Sequence, residues 1–202
     1  MKYLIRRIIN KIFYRQKIKF YGKNNTFICP LSVNLKKINI SIYGNNNTII
    51  IGENAFINHT KIIIGFPNSK AKNCLVKIGQ NSGLNSANIQ LGESNSSVII
   101  GKNCAFSYDI ELNCTDQHSI FDKNNQILNI GKNITIGDHV WLCKEIRVMK
   151  NSKIPNGCIV AQGSIVTKKF DKENCVIAGN PAKIVKEDIY WAFDRPNEYV
   201  EK

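Results

Sequence analysis

The sequence predicts an all-β fold, a parallel β-helix built from six-residue turns. Aliphatic residues recur every six positions in the C-terminal half, a period that fits neither a helix nor plain strand alternation. This series is Ile130, Ile136, Leu142, Val148, Ile154, Val160 and Val166. The residues two positions earlier are mostly small or β-branched: Ile134, Val140, Ile146, Ser152, Cys158 and Ser164. Together the two series would fill a narrow prismatic core.

Glycine and asparagine mark the corners at which each coil would turn. Gly52 and Gly101 follow aliphatic residues, and Asn54 and Asn103 lie two positions later. Both residue types tolerate positive φ and allow tight turns. Before residue 130 the spacings are not multiples of six, so we expect small loops to interrupt the coils. The longest irregular stretch, 113–129, is polar and is a candidate functional excursion.

Composition limits the function classes. The chain has 202 residues, enough for one domain, and its seven cysteines are scattered without a C-x-x-C pair. This pattern argues against a disulfide framework or a zinc site and favours a reducing, cytoplasmic environment. The net charge of +13 indicates an anionic partner. No motif interleaves the lysines with aromatic residues, so we expect no nucleic acid. The remaining candidates for the anionic partner are a phosphorylated cofactor, an acidic glycan and a membrane surface.

The pattern divides the chain into three segments. Residues 1–22 are predicted to form a basic amphipathic helix, which either packs on the protein or lies on the inner face of a membrane as a peripheral contact. Residues 23–180 are predicted to form the β-helix. Residues 181–202 are predicted to contain a short C-terminal helix, with Trp191 packed on the last coils. No stretch is long enough to span a bilayer.

The region 130–186 carries the motifs IGDHVW, GSIVTKK and AGNPAK, and TDQHSI precedes it. These motifs resemble those of the hexapeptide-repeat acyltransferases, in particular the surface-polysaccharide O-acetyltransferases. The resemblance implies a left-handed β-helix, a homotrimer with active sites between subunits, and acetyl-CoA as the donor. It also implies a carbohydrate acceptor, a sugar hydroxyl of a capsule, of lipopolysaccharide or of a precursor.

The resemblance also implies catalytic roles for His118 and Trp141, and the residues themselves suggest roles for Asp116 and Asn85. Acetyl transfer to a hydroxyl requires a general base, donors for the oxyanion and alignment of both reactants. His118 in TDQHSI corresponds to the family's catalytic histidine. Trp141 carries an indole N–H, a donor suited to the oxyanion or the acetyl carbonyl. Asp116 is expected to orient the imidazole or to hold an acceptor hydroxyl, and Asn85 to contact the acceptor.

Six positions match the family's contacts to CoA. Two lie along the pantetheine arm, two near the nucleotide, and two offer charge to the phosphates. Lys144 and Gln162 are the two along the pantetheine arm, and Thr167 and Lys168 are the two near the nucleotide. Lys183 and Lys186 are the two that offer charge to the phosphates. The chain departs from the family pattern at Cys143, where glycine is usual, and at Gln162, where alanine is usual. These departures affect contacts that are made chiefly by the backbone.

Two other functions remain open from the sequence. An N-acetyltransferase acting on an amino-sugar nucleotide would share the fold, the donor and the base. A non-enzymatic β-helix binding module would leave the TDQHSI segment and the C-terminal lysines without a role. A metal site is not expected, because His59, His118 and His139 are spaced wrongly for three ligands around one ion. His139 is expected at a coil corner, on the surface.

Overall fold

A computed structural model describes residues 16–197. Three parallel sheets form the sides of a prism, here called faces A, B and C, and the chain visits them in that order. Face A contains β1 (Lys17–Tyr21), β4 (Asn39–Asn45), β7 (Lys61–Ile64), β11 (Ala87–Leu91), β14 (Ile110–Asn113), β17 (Arg147–Met149) and β20 (Ile165–Val166), with the short β8 (Ala71–Lys72) paired to β4. The prediction of a parallel β-helix is confirmed.

The other two faces complete each coil. Face B contains β2 (Thr26–Ile28), β5 (Thr48–Ile51), β9 (Leu75–Ile78), β12 (Ser97–Ile100), β15 (Ile134–Ile136) and β18 (Lys153–Ile154). Face C contains β3 (Asn34–Lys36), β6 (Phe56–Asn58), β10 (Gly83–Leu84), β13 (Ala105–Phe106), β16 (Trp141–Leu142), β19 (Ile159–Val160), β21 (Val176–Gly179) and β22 (Ala182–Lys186). Every described pair is parallel except β21 with β22. Because each face has one strand per coil, the hydrogen-bond ladder runs between coils.

Coil length changes along the helix. In the N-terminal half, the Asn81 amide donates to Asn103 at 3.2 Å, 22 residues later. In the C-terminal half, the Asp138 N–H donates to Asn156 at 2.8 Å, 18 residues later. Three six-residue turns make an 18-residue coil, so the period read from the sequence holds only for the last coils. The earlier coils are longer because their corners carry extra residues.

The predicted inward positions form the core, with one exception. Ile136, Leu142 and the later members of the series are at most 1% exposed, and their small companions, including Ser152 and Ser164, are also buried. Ile130 is 57% exposed, so its assignment to the core was wrong. The chain rejoins the coil only at β15, and Ile130 still belongs to the excursion that precedes it.

The corner residues serve two different purposes. Asn54 and Asn103 have φ of 56° and 54°, as predicted. Gly52 and Gly101 do not lie at positive φ. A Cβ on Gly101 would instead collide with the backbone carbonyl of Gly137 in the next coil. Glycine is therefore required there by the close approach of stacked coils rather than by the turn.

Both predicted terminal helices need correction. The segment Lys17–Tyr21 is strand β1, paired with β4, so the prediction of a helix across 1–22 was wrong for this part and the coils begin before residue 23. Its sequence KIKFY alternates with period two, and Ile18 packs on the core. The remainder of the predicted helix, with its membrane contact, falls on residues 1–15, outside the described residues. Within 16–197, the structure contains no helix of the length and apolarity that a membrane crossing requires.

The C-terminal segment begins as a hairpin rather than a helix. Strand β22 returns antiparallel to β21, so the last sheet pairing crosses the boundary predicted at residue 180. Gly179, with φ of 101°, and Pro181 favour the tight turn between these strands. Residues 187–196 contain no helix, and residue 197 is helical. The rest of the predicted C-terminal helix falls on residues 198–202, outside the described residues.

Candidate active site

An excursion of the chain leaves the corner between faces A and B after β14 and returns at β15. It contains a small hairpin, in which Phe121 bridges Ile127 in antiparallel fashion. The Asp122 carboxylate closes the tip by accepting backbone N–H groups from Asn124 at 2.8 Å and Gln126 at 2.9 Å. The polar stretch predicted as irregular contains no regular strand or helix, but this small hairpin gives it local hydrogen bonding.

His118 lies in a bend near the start of this excursion, with its side chain exposed. Its backbone N–H donates to the carbonyl of Asp116 at 2.8 Å, and its own carbonyl accepts the Asn129 amide at 2.8 Å. The backbone on both sides of the imidazole is thus fixed, while the ring makes no hydrogen bond within residues 16–197. Both ring nitrogens are available to a substrate.

Asp116 anchors the excursion. Its carboxylate accepts hydrogen bonds from the Lys150 ammonium and from the Asn129 amide at 2.9 Å. The Lys150 hydrogen bond, followed by that of Asn129, lowers the pKa of Asp116, so the carboxylate stays charged and the contact persists at neutral pH. Lys150 also donates to the Asn129 carbonyl at 2.6 Å. Both hydrogen bonds go to Oδ2 of Asp116, so Oδ1 has no hydrogen-bond partner within residues 16–197. The role of Asp116 in orienting the imidazole or in holding an acceptor hydroxyl therefore stays a prediction.

Lys150 and Asn129 were missed from the sequence. Lys150 directly follows β17, whose Met149 pairs with Asn113 at the point where the excursion leaves. A residue at the corner under a long excursion is well placed to hold it. The repeat period therefore contained the signal for Lys150, whereas nothing in the sequence distinguished Asn129 from its neighbours.

Trp141 lies on face C, in register with Ala105 of the preceding coil and Ile159 of the next. Its side chain is 39% exposed, and its ring contacts that of Trp191 with centroids 5.9 Å apart. A tryptophan held on one side and open on the other can present its indole N–H to a substrate. We expect Asn85, at the end of β10 on the same face, to lie along the same surface.

His139 is a structural residue rather than a free surface histidine. Its ring stacks on Trp191 with centroids 4.1 Å apart, and the Trp191 indole N–H donates to the His139 carbonyl at 2.9 Å. The ring Nε2 of His139 in turn pairs with the Trp191 carbonyl at 2.9 Å. This reciprocal clamp holds the C-terminal tail on the coils and fixes Trp191, which is buried as predicted, beside Trp141.

The candidate CoA residues are all exposed but do not lie together. Lys144 and Gln162 stack at the corner between faces C and A, where the Gly163 N–H donates to the Lys144 carbonyl at 3.1 Å. Lys183 and Lys186 lie on β22, at the end of face C. Thr167 and Lys168 follow β20, at the corner between faces A and B. Glu145 pairs with Lys144 at 3.1 Å, and this contact raises the pKa of the Lys144 ammonium.

The predicted site residues therefore fall into two groups on different sides of the prism. His118, Asp116, Thr167 and Lys168 lie at the corner between faces A and B. Trp141, Asn85, Lys144, Gln162, Lys183 and Lys186 lie on face C or at its border with face A. In a three-sided prism the corner between faces A and B is opposite face C. One chain consequently does not bring His118 and Trp141 together.

Comparisons with known proteins identify the family. The chain is 33% identical over 187 residues to the polysialic acid O-acetyltransferase of Neisseria meningitidis, covering 84% of this chain and 86% of that protein. The chain belongs to the hexapeptide-repeat O-acetyltransferases. The polysialic acid O-acetyltransferase of Escherichia coli O1:K1 is 36% identical over 96 residues, covering 47% of this chain and 31% of that protein. No family model matches this O-acetyltransferase.

Solved structures agree with this assignment. The O-acetyltransferase superposes on the polySia-specific acetyltransferase NeuO with a TM-score of 0.73 and 29% identity, covering 90% of each chain. For the polysialic acid O-acetyltransferase OatWY, the TM-score is 0.70 with 30% identity, covering 87% of this chain and 91% of that one. The fold is the left-handed parallel β-helix of these transferases, as the resemblance implied.

Trp141→Phe is expected to lower kcat by about 10-fold to 10²-fold, somewhat less than the loss of a strong oxyanion donor. Phenylalanine keeps most of the ring contact with Trp191 and removes only the N–H. Steady-state kinetics and the melting temperature should be measured together. If both kcat and the melting temperature were unchanged, the indole N–H would have no catalytic function and Trp141 would serve packing only.

Proposed function

We propose that the protein transfers an acetyl group from acetyl-CoA to a hydroxyl of an acidic cell-surface polysaccharide, of the capsule or lipopolysaccharide type, or of its precursor. The observation that carries the proposal is the imidazole of His118, fixed by its backbone and open at its ring, in a chain of the O-acetyltransferase family. Two relatives are named for polysialic acid, an acidic polymer. The net charge of +13 is suited to such an acceptor.

A basic cleft beside the excursion supports an acidic acceptor. The cleft has a volume of about 390 Å³ and is lined by Lys132, Lys153 and Lys169 together with polar residues. None of its described lining residues is a carboxylate; Lys153 pairs with Asp171 outside the lining at 3.5 Å. Lys132 belongs to the end of the excursion that carries His118. Acidic groups of a polymer could thus be held close to the reacting unit.

The chemistry requires a single transfer. The His118 imidazole accepts the proton of the sugar hydroxyl while the hydroxyl oxygen attacks the thioester carbonyl carbon. The Trp141 indole N–H donates to the oxyanion that forms. As the carbon–sulfur bond breaks, the imidazolium returns the proton to the leaving thiolate. The products are the O-acetyl ester and CoA, and no proton or electron is left over.

A homotrimer would complete the site. Since His118 and Trp141 lie on opposite sides of one chain, a shared site needs the corner of one subunit against face C of another. The excursion also projects apolar side chains that a subunit contact would cover. They are Ile120, Phe121, Ile127, Leu128 and Ile130, each between 47% and 64% exposed. Exposed apolar patches of this kind mark interaction surfaces.

Acetyl-CoA is the donor in this proposal, and its phosphates would lie near the lysines on β22. Lys183→Ala and Lys186→Ala are expected to raise the KM for acetyl-CoA several-fold and to leave the acceptor KM unchanged. The effect should shrink with added salt, because exposed charges are screened over about 10 Å at 0.1 M. Lys77→Ala, an exposed lysine on face B, is the matched control. Equal increases in both KM values would indicate a general defect.

The cysteines support a reducing, cytoplasmic location. All seven are free, and six of them are buried. Burial raises the pKa of the Cys104 thiol to about 11 and that of Cys114 to about 12, which makes these thiols poor nucleophiles. Cys104 and Cys114 therefore behave as small core residues and are not candidates for catalysis.

The direct test is incubation of the protein with acetyl-CoA and a panel of acceptors. The panel should contain acidic polysaccharides, neutral polysaccharides and amino-sugar nucleotides. Thiol release reports turnover, and mass spectrometry before and after mild base distinguishes O-esters from N-amides. Base-labile acetylation of an acidic glycan is expected. Base-stable acetylation of an amino-sugar nucleotide would favour the N-acetyltransferase alternative, which the relatives do not favour, and no turnover would favour the binding module.

A further inference from the structure

Face C carries a trough between two aromatic side chains. Phe56 pairs in register with Gly83, Gly83 with Ala105, and Ala105 with Trp141. All four therefore belong to one outward-facing column, since Ile57, Leu84, Phe106 and Leu142 next to them point into the core. At about 4.8 Å between neighbouring strands, Phe56 and Trp141 stand about 14 Å apart. The only side chains between them in this column are the hydrogen of Gly83 and the methyl group of Ala105.

The small residues in this column are not required by packing. A Cβ added to Gly83 would meet nothing within 4 Å, and its φ is outside the left-handed region. By contrast, a Cβ on Gly79 or Gly101 would collide with backbone of the next coil. The coil structure would accept a larger residue at 83. With glycine at 83 and alanine at 105, the surface of face C between Phe56 and Trp141 stays open.

The border of the trough is polar. Asn58, Asn85 and Ser107 follow the buried residue of their strands and form the adjacent outward column. The Asn85 amide donates to the Phe106 carbonyl at a long 3.4 Å, and the side chains of Asn58 and Ser107 have no hydrogen-bond partner in the described part of the chain. At the far end, the Lys36 ammonium lies 5.6 Å from the centre of the Phe56 ring. The border therefore offers amide, hydroxyl and ammonium groups.

These features match the surface of a sugar. The apolar face of a pyranose packs on aromatic rings and small side chains, while its hydroxyls bond to amides and hydroxyls at the edge. A carboxylate on the sugar would be attracted to Lys36. We propose that the trough binds acceptor sugar units adjacent to the one acetylated beside Trp141, and that Gly83 sets acceptor specificity by keeping it open. This inference rests on the proposed function.

Gly83→Leu tests the trough without disturbing the fold, and Ala105→Leu is a second variant. Thr26→Leu, which adds a similar side chain to an exposed position on face B, is the matched control. The two trough variants are expected to raise the KM for oligosialic acid about tenfold, the effect of losing one aromatic contact. The KM of the trough variants for acetyl-CoA should not change, and the control variant Thr26→Leu should have wild-type KM values for both substrates.

Calorimetric titration of oligosialic acid in the absence of acetyl-CoA separates this inference from the proposed function. Wild-type binding that Gly83→Leu weakens would support the trough even if no acetyl group were transferred. Binding that both trough variants leave unaltered, or no binding at all, would overturn it. Light scattering must show the same oligomeric state for all proteins. Dissociation caused by Gly83→Leu would mean that another subunit covers the trough itself, and not only the part of face C around Trp141, and it would also overturn the proposal.

Discussion

His118→Ala is expected to reduce turnover by about 10² to 10⁴, the usual contribution of a positioned general base. The exposed ring makes no hydrogen bond within residues 16–197, so its removal costs the fold little. The backbone contacts of residue 118 with Asp116 and Asn129 do not depend on the side chain. Steady-state thiol release should therefore collapse, while acetyl-CoA binding measured by calorimetry stays at the wild-type value.

A matched control makes this result specific to the site. His59 is another exposed histidine, located at a corner of an earlier coil with φ of 44°. His59→Asn is a suitable replacement because asparagine tolerates that conformation. Its activity should equal that of the wild type. Near-wild-type activity of His118→Ala, with the acetylated product confirmed by mass spectrometry, would contradict the assignment of the base.

The fold was predictable where the physical constraint is local. In the last coils each side of the prism holds six residues, of which one places a large aliphatic side chain in the core. The core therefore requires an aliphatic residue at every sixth position of the sequence. The 22-residue coils hide that period, because their extra corner residues vary in number. At the N-terminus, the apolar residues of 1–13 follow helical spacing, but KIKFY at 17–21 already alternates as a strand. The change of period within a few residues was the missed signal.

The site was predictable only in part, because its contacts join distant parts of the chain. TDQHSI identifies His118 as a motif. The Lys150 contact with Asp116 spans 34 residues, and the His139 clamp on Trp191 spans 52. Trp191 lies in a tail that has no repeat, so no period could place it beside Trp141. The resemblance implied active sites between subunits but did not say which residues lie on which side, and only the coil geometry divides them between two sides of the prism.

Mixing two impaired variants is expected to restore activity if the site is shared between subunits. His118→Ala removes the base at the corner between faces A and B, and Trp141→Ala removes the donor on face C. When the two chains assemble together, some sites combine a wild-type corner with a wild-type face C. Random assortment in a ring in which every site spans two subunits gives about one intact site in four. The mixture should therefore recover about a quarter of wild-type activity.

The composition of the mixed assembly decides the outcome. Two different affinity tags and sequential purification isolate rings that contain both chains. A mixture of His118→Ala with the double variant His118→Ala/Trp141→Ala serves as the control, because no arrangement of those chains supplies an imidazole. Recovery in the first mixture and none in the second would place His118 and Trp141 of different subunits in one site. If purified mixed rings stayed inactive, the two residues would not act together across an interface. The coil topology also separates the two residues within one chain, so Trp141 could then no longer be assigned to the catalytic site of His118.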